Sequence, residues 1–414
     1  MNDVKKSNCQ KTILDNGVRV VTELIPHVRS VAVGFWFTTG SRDEPEGLSG
    51  IAHFLEHMNF KGTKKRSAAQ IAREIESRGG HLNAFTSKEV TCYLARVLDE
   101  QIPRSIDVLS DITRNSIYDQ KEIDLERNVI LEELKNTEDT PDELVYEHFF
   151  KHVFGEHPLG RSILGHRDSL KGINHNNLNN YSKERYNGSN VVIAATGNLD
   201  HQRLVRLVKS RFTKLNGFNQ ERYVPEVFEK KVHKQQEYTS TQQAHILFGC
   251  KGLDYNDKRR FVLSLMSTIL GGGMSSRLFQ NIREKEGMAY SVYSFVETFF
   301  DTGLFAIYAG TTPEKLESAK RLIRKEVRKL VHKSISDREL NRTKDQLKGN
   351  LMLGLESPSS RMHRLARMEI NSGEFIPIEY VIEQINQVGS NDIQELAVDL
   401  FENQALYETT LLPN

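Results

Sequence analysis

The chain has 414 residues, of which 38% are hydrophobic and 27% charged, a composition typical of folded globular proteins with more than one domain. Lys and Arg total 56 and Asp and Glu total 55, so the net charge provides no field that would hold nucleic acid. The cysteines Cys9, Cys92 and Cys250 are too few and too scattered for a disulfide framework or a CxxC metal site. A reducing compartment is therefore expected.

The N-terminal residues 1–7 lack the apolar stretch of a secretory signal, and Asp3 is atypical of a transit peptide. The longest apolar run, residues 30–37, is too short to cross a bilayer as a helix. We therefore expect no membrane insertion and a cytoplasmic location in a bacterial type of cell. The mitochondrial matrix is the alternative if a presequence has been removed.

The first half of the chain predicts an α+β unit. Ser67 and Gln70 form a predicted capping box for a helix that ends before Gly79-Gly80. The predicted strands are 17–25, 29–38, 81–86, 89–97 and 190–196, and the predicted helices are one that carries His53 and His57, then 67–78, 100–116, 119–138 and one that starts at Pro141.

The second half repeats this order of elements, which predicts an internal duplication. A polar stretch at 215–232 is the predicted interdomain linker, between an N-terminal domain 1–214 and a C-terminal domain 233–414. The elements predicted after the linker are a strand at 244–250, helices at 257–270 and 274–286, strands at 288–295 and 303–308, and a largely helical stretch at 313–400. The segment 266–270, which corresponds to the histidine-bearing helix, contains no histidine.

Residues 50–63 carry the strongest chemical signal of the sequence. His53 and His57 are four residues apart, so on a helix both imidazoles can approach one tetrahedral metal ion. Glu56 lies near the same face and can reach a water molecule beside the metal without being a ligand, as a general base must. This H-x-x-E-H order is the inverse of the commoner zinc-protease motif.

A catalytic zinc usually has three protein ligands, and the third must come from outside this helix. The helix predicted at 119–138 offers Glu126, Glu132 and Glu133, and Glu126 and Glu133 share a face. Spacing alone leaves the choice between Glu132 and Glu133 open. A second pair, His148 and His152, has no carboxylate between its members and is expected to lie on a helix surface or to take part in helix packing instead of binding metal.

These segments resemble the pitrilysin and mitochondrial-processing-peptidase family of zinc metallopeptidases, and within it the processing-peptidase beta-subunit branch with its bacterial relatives. Further similarity lies at residues 82–87, 157–160 and 278–284, so the resemblance spans nearly the whole chain. It implies two homologous mixed α/β-sheet domains that face each other around a peptide-binding chamber.

The resemblance also implies roles for individual residues. The third ligand of the family lies 76 residues after the second histidine, which is Glu133 here, and Glu126 matches an auxiliary glutamate behind the site. Arg283 and Tyr290 match a pair in the second domain that reaches the substrate, where both could stabilise an oxyanion. The substrate pairs with an edge strand that corresponds here to Leu82, Asn83, Ala84, Phe85 and Thr86.

The sequence thus predicts a zinc-dependent endopeptidase with one Zn²⁺ per chain, which cleaves peptides or presequence-like extended segments by metal-activated water with Glu56 as general base. Its expected substrates are peptides or unfolded polypeptides. On family grounds we expect a homodimer, with a heterodimer beside an inactive homologue as the alternative. The competing hypothesis is a catalytically inactive scaffold or partner subunit of the same family.

Overall fold

The computed structural model describes residues 8–213, 215, 222 and 234–414. The linker predicted at 215–232 lies outside the described residues except for Leu215 and Arg222, so the division of the sequence at this point stays a prediction. No helix in the described part of the chain has both the length and the apolar character needed to cross a bilayer.

The first sheet has six strands in the order β1-β2-β6-β3-β5-β4. The pair β2 and β6 is parallel, and the other neighbours are antiparallel. Because β4 pairs only with β5, it forms one edge of the sheet. The strands are β1 (Cys9–Ile13), β2 (Arg19–Leu24), β3 (Ser30–Phe37), β4 (His81–Thr86), β5 (Thr91–Leu98) and β6 (Val191–Gly197).

The second sheet has five strands in the order β7-β11-β8-β10-β9. They are β7 (Lys234–Thr239), β8 (Ala244–Gly252), β9 (Ala289–Thr298), β10 (Gly303–Thr311) and β11 (Tyr407–Pro413). This order repeats β2-β6-β3-β5-β4, and the parallel pair, β7 with β11, occupies the equivalent place. The predicted α+β class and the internal duplication are confirmed by this shared topology.

Helices surround both sheets. They are α1 (Ile51–Met58), α2 (Ala68–Glu76), α3 (Ile102–Arg114), α4 (Gln120–Glu138), α5 (Pro141–Phe154), α6 (Arg167–Gly172), α7 (His175–Arg185), α8 (His201–Phe212), α9 (Arg260–Gly271), α10 (Leu316–His332), α11 (Asp337–Gly354), α12 (Pro358–Asn371), α13 (Ile378–Gln387) and α14 (Ser390–Phe401). The capping box predicted at Ser67 and Gln70 is confirmed at the start of α2.

Three strands, β1, β7 and β11, were not predicted from the sequence. The edge strands β1 and β7 contain mostly polar residues, so hydrophobic periodicity gives little signal there. The segment predicted as a helix at 274–286 contains instead a short π-helix, Phe279–Lys285. π-Helices are rare and often occur at functional positions.

Contacts between residues divide the chain into two compact units. Each unit includes one helical segment from the half of the sequence that otherwise forms the other unit. The first unit comprises residues 1–134, 161–223 and 354–375, and the second comprises 135–160, 224–353 and 376–414. Helix α12 therefore belongs to the first unit although it follows four of the five strands of the second sheet, β7 to β10, in sequence. Helix α5 belongs to the second unit although it precedes them.

Specific contacts hold each exchanged helix on its sheet. In the first unit, Trp36 Nε1 of β3 lies 3.3 Å from Met362 Sδ of α12. The buried Glu369 of α12 accepts an ion pair from Lys11 at 2.8 Å. In the second unit, Phe149 of α5 is fully buried in an apolar cluster with strand residues of β8, β10 and β11. Each sheet is thus covered by a helix from the other side of the predicted linker.

Candidate metal centre

Helix α1 is short, and its buried apolar side chains hold it in place. Eight residues are too few for a stable isolated helix, so tertiary packing must hold it. Its apolar residues Ile51, Phe54, Leu55 and Met58 are at most 1% exposed and lie in the core of the first unit. Because these residues anchor the inner face, the intervening His53, Glu56 and His57 are held on the side that meets α4 and β4.

A buried carboxylate closes the start of α1. Gly50 precedes the helix with φ 91° and offers no side chain to cap it. Instead, the carboxylate of Glu44 accepts hydrogen bonds from the backbone N–H groups of Gly50 and Ala52, both at 2.9 Å. These bonds satisfy two of the donors that every helix leaves unpaired at its N-terminus. Glu44 therefore fixes the end of α1 that carries His53.

The two histidines of α1 converge. Their Nε2 atoms are 3.2 Å apart, and the ring centroids are 4.5 Å apart. Burial, together with the neighbouring His57, lowers the pKa of His53 to about 3. The His53 imidazole is therefore neutral at physiological pH, which is the form that binds a metal ion.

Helix α4 brings a carboxylate to this pair. Glu133 Oε2 lies 3.8 Å from His53 Nε2 and 3.7 Å from His57 Nε2. Within the described ranges, His53, His57 and Glu133 are the one group of three such side chains whose ligand atoms all lie within 4.8 Å of one another. Glu132, which spacing could not separate from Glu133, is exposed to solvent.

Glu126 lies one layer behind, on the other side of His57. Its Oε1 atom accepts a hydrogen bond of 3.0 Å from His57 Nδ1, and its Oε2 atom lies 2.5 Å from Lys61 Nζ. Because Glu126 accepts the hydrogen bond from Nδ1–H, the Nε2 atom of His57 is directed at His53 and Glu133. Carboxylates commonly orient metal-binding histidines in this way.

Glu56 is placed beside the cluster without belonging to it. Its side chain is only 9% exposed, and Thr86 at the end of β4 donates a hydrogen bond of 2.6 Å to Oε2. Burial raises the pKa of Glu56, while the hydrogen bond from Thr86 opposes that shift. One carboxylate oxygen is therefore fixed, and the other is available to a water molecule.

The donor set fits zinc. Ligands about 2.0–2.1 Å from a tetrahedral zinc ion lie roughly 3.3–3.4 Å from one another. The three observed separations, 3.2, 3.7 and 3.8 Å, bracket that distance. Two imidazoles and one carboxylate also match the ligands of many catalytic zinc sites, which leave a fourth position for water or substrate.

The five residues predicted to bind substrate form most of the edge strand β4. In register, Leu82 opposes Ala95 of β5, and Thr86 opposes Thr91. The other side of β4 has no strand partner in the part of the chain that the structure describes. The free edge of β4 therefore ends at Thr86, whose hydroxyl contacts Glu56.

Arg283 and Tyr290 lie together in the second unit. The Arg283 guanidinium carbon is 5.3 Å from the Tyr290 ring centroid and 4.8 Å from that of Phe279. Tyr290 is 77% exposed, which is unusual for a large aromatic side chain. The π-helix positions this stack, because it carries both Phe279 and Arg283.

The second histidine pair has separate partners. His148 Nδ1 lies 2.7 Å from a Glu237 carboxylate oxygen, whereas His152 Nδ1 is 2.9 Å from Thr409 Oγ1 and its ring packs on Tyr407. Both histidines therefore contact strands of the second sheet, β7 and β11, and not the helices that the sequence suggested.

Comparisons with known proteins identify the family of the chain. The sequence model described as Insulinase (Peptidase family M16) matches residues 19–167, and that described as Peptidase M16 inactive domain matches residues 172–347. An uncharacterized zinc protease of Streptomyces coelicolor is 39% identical over 398 residues, which are 94% of this chain and 87% of the relative. The uncharacterized zinc protease YmxG of Bacillus subtilis is 40% identical over 97% of both chains.

Solved structures share the fold at lower identity. A protease from Helicobacter pylori superposes with a TM-score of 0.92 at 24% identity, covering 99% of this chain and all of the other. A chain of complex III2 from Candida albicans gives a TM-score of 0.85 at 20% identity, covering 98% of this chain and 95% of the other. The two matching sequence models and the close relatives show that the chain belongs to peptidase family M16, the pitrilysin family, as its histidine-bearing helix indicated.

Proposed function

We propose that the protein is a zinc-dependent endopeptidase. The observation that carries the proposal is the convergence of His53, His57 and Glu133 within 4.8 Å of one another, with the carboxylate of Glu56 beside them. His53, His57 and Glu133 would hold the ion, and Glu126 would orient His57. When bound, zinc supplies Lewis-acid polarisation of the scissile carbonyl and lowers the pKa of water.

In this proposal Glu56 moves the protons. Its free oxygen accepts a proton from the attacking water and then gives it to the leaving amine. The hydrogen bond from Thr86 keeps the carboxylate in one orientation through both steps. Because Thr86 also ends β4, a peptide paired with this strand would have its scissile bond close to the base.

The proposed substrates are peptides, presequence-like segments or unfolded polypeptides in extended form. Pairing with an edge strand uses main-chain hydrogen bonds, which all sequences offer, so broad tolerance is expected. Arg283 and Tyr290 are proposed to stabilise the oxyanion of the reacting carbonyl from the second unit. We further propose a peptide-binding chamber between the two domains and a cytoplasmic location. The protein would form a homodimer, with a heterodimer beside an inactive homologue as the alternative.

A second candidate function is an inactive scaffold or partner subunit. It draws support from the matching model described as an inactive domain and from the likeness to a chain of complex III2. That model, however, covers residues 172–347, whereas the metal-binding cluster lies before it. A chain retained only as a scaffold has no need of a convergent donor set and a buried base, so the peptidase is favoured.

The first test is metal content. We expect about one zinc per purified chain, loss of peptide hydrolysis on chelation and recovery when zinc is added back. Replacement of His57 with Asn should abolish zinc binding, whereas the matched control His148→Asn should retain it, because His148 contacts Glu237 and does not belong to the cluster. Hydrolysis that continues after the metal has been removed would contradict the proposal.

A second test separates the two neighbouring glutamates of α4. Glu133→Gln should weaken zinc binding by tenfold or more, since it replaces a charged ligand. Glu132→Gln should leave zinc binding unchanged, because this side chain is exposed and lies outside the cluster. Zinc titration against a competing chelator measures both variants. Equal effects would remove Glu133 from the ligand set.

A further inference from the structure

Asn59, the residue that ends α1, is fully buried and makes hydrogen bonds in two directions. Its Nδ2 group donates to the Tyr93 hydroxyl at 2.7 Å, and its Oδ1 atom accepts from the Tyr118 hydroxyl at 3.2 Å. A polar side chain at such a position must be satisfied by its surroundings. Asn59 is therefore held by residues outside its own helix.

Tyr118 lies just before α4 and has an uncommon backbone conformation. Its φ of 48° is the one positive value at a non-glycine residue in the described part of the chain. Left-handed backbone at a bulky residue is unfavourable and persists only where several contacts impose it. Here the Tyr118 carbonyl accepts a hydrogen bond of 2.9 Å from His175 Nδ1, and the ring is 5% exposed.

The chain segments around this pair are also joined. Ser116 Oγ donates to the Asn59 carbonyl at 3.4 Å, and Ile117 N–H donates to the Gly62 carbonyl at 3.2 Å. The end of α1 and the beginning of α4 are therefore tied at one place. Of the three bonds described between residues 59–62 and 116–118, only the one from the Tyr118 hydroxyl to Asn59 joins two side chains.

The position of α4 along α1 decides whether the candidate ligands meet. Glu126 contacts His57, and Glu133, two turns further along α4, reaches both His53 and His57. A shift of one residue along a helix moves a side chain by about 1.5 Å and rotates it by about 100°. Such a shift would remove both carboxylates from the histidines at once.

We propose that Asn59 and Tyr118 are positioning residues whose side-chain hydrogen bond fixes the register of α4 against α1, and thereby the metal-binding geometry. The inference rests on the proposed function only in taking His53, His57 and Glu133 as ligands. Neither residue touches these side chains, so their effect passes through the two helices. The left-handed turn at Tyr118 directs the phenol back towards Asn59 and starts α4 at a defined place.

The test compares two buried tyrosines of one hydrogen-bond network. Tyr118→Phe keeps the ring but deletes the hydroxyl, which bonds to Asn59 and also to Ser182 of α7. Ser182→Ala removes the second bond alone and should leave zinc affinity unchanged. Tyr186→Phe is the matched control, because its hydroxyl bonds to that of Tyr93 at 2.9 Å and reaches Asn59 only through Tyr93, without a bond to the Tyr118 hydroxyl. Both variants lose one buried hydroxyl, so their urea midpoints should fall by similar amounts.

The decisive readouts are zinc affinity and the visible absorption spectrum of the cobalt(II)-substituted protein, which reports ligand geometry. We expect Tyr118→Phe to raise the zinc Kd about tenfold, as loss of an outer hydrogen bond at a metal site commonly does, and to shift the cobalt spectrum. Tyr186→Phe should change neither. The double variant Asn59→Ala with Tyr118→Phe should bind zinc no more weakly than Asn59→Ala alone, because both changes remove the same bond.

Equal changes in zinc affinity for Tyr118→Phe and Tyr186→Phe, or none in either, would overturn the inference. These outcomes differ from failure of the proposed function. A wild-type protein that binds zinc but cleaves no peptide would refute the peptidase and leave this result standing. A wild-type protein that binds neither zinc nor cobalt would overturn both.

Discussion

Replacing Glu56 with Gln should abolish peptide hydrolysis while leaving the zinc content of the protein unchanged. The amide keeps the shape of the side chain, and its oxygen can still accept the hydrogen bond from Thr86. It cannot accept a proton from water, so the loss should reach the roughly 10²–10⁴-fold that a general base contributes. Steady-state hydrolysis of a fluorogenic peptide and metal analysis of the same sample give the two measurements.

Glu132→Gln is the matched control for this change. It makes the same substitution at an exposed glutamate and should retain both activity and metal. If Glu56→Gln lost zinc together with activity, Glu56 would be a ligand, and its assignment as the base would be wrong. If it kept full activity, another group would have to move the proton.

Removing the hydroxyl of Tyr290 or the guanidinium of Arg283 should lower the chemical rate by roughly 10²–10³-fold, as expected for the loss of one oxyanion donor. Zinc content should not change, because the metal-binding side chains belong to the first unit. Tyr290→Phe is the sharper variant, since it keeps the ring on which Arg283 stacks and deletes only the donor. Single-turnover kinetics should show the loss in the chemical step.

Arg260→Ala provides the control for Arg283→Ala. The Arg260 guanidinium also lies over aromatic rings of the second unit, 4.6 Å from the Phe261 centroid and 5.6 Å from that of Tyr255. The two changes remove the same kind of stacked cation, so a general effect on stability should appear in both. Normal turnover in Tyr290→Phe and Arg283→Ala would show that the second unit takes no part in the chemistry.

Local sequence signals predicted the elements that position the candidate site. The four-residue spacing of His53 and His57 predicted a shared helical face, and the side chains converge in the structure. The capping box at Ser67 and Gln70 located the start of α2 because it depends only on residues close in sequence. The duplicated order of elements likewise follows from local periodicity, which both halves of the chain retain.

Long-range features could not be obtained in the same way. Spacing left Glu132 and Glu133 unresolved, because two adjacent residues differ by about 100° of helix rotation and the partner face was unknown. Glu44 caps α1 from a loop, and Tyr118 has a left-handed backbone that its residue type does not favour. Both depend on tertiary contacts that have no local sequence signature.

The exchange of α5 and α12 has a consequence for how the protein is made. The first sheet has all its strands once β6 has been synthesised, but the helix that covers it ends at Asn371, about 170 residues later. At typical translation rates of 5–20 residues per second, the nascent sheet waits roughly 10–30 s with an apolar face uncovered. Chaperone protection of the first sheet during that interval is therefore expected.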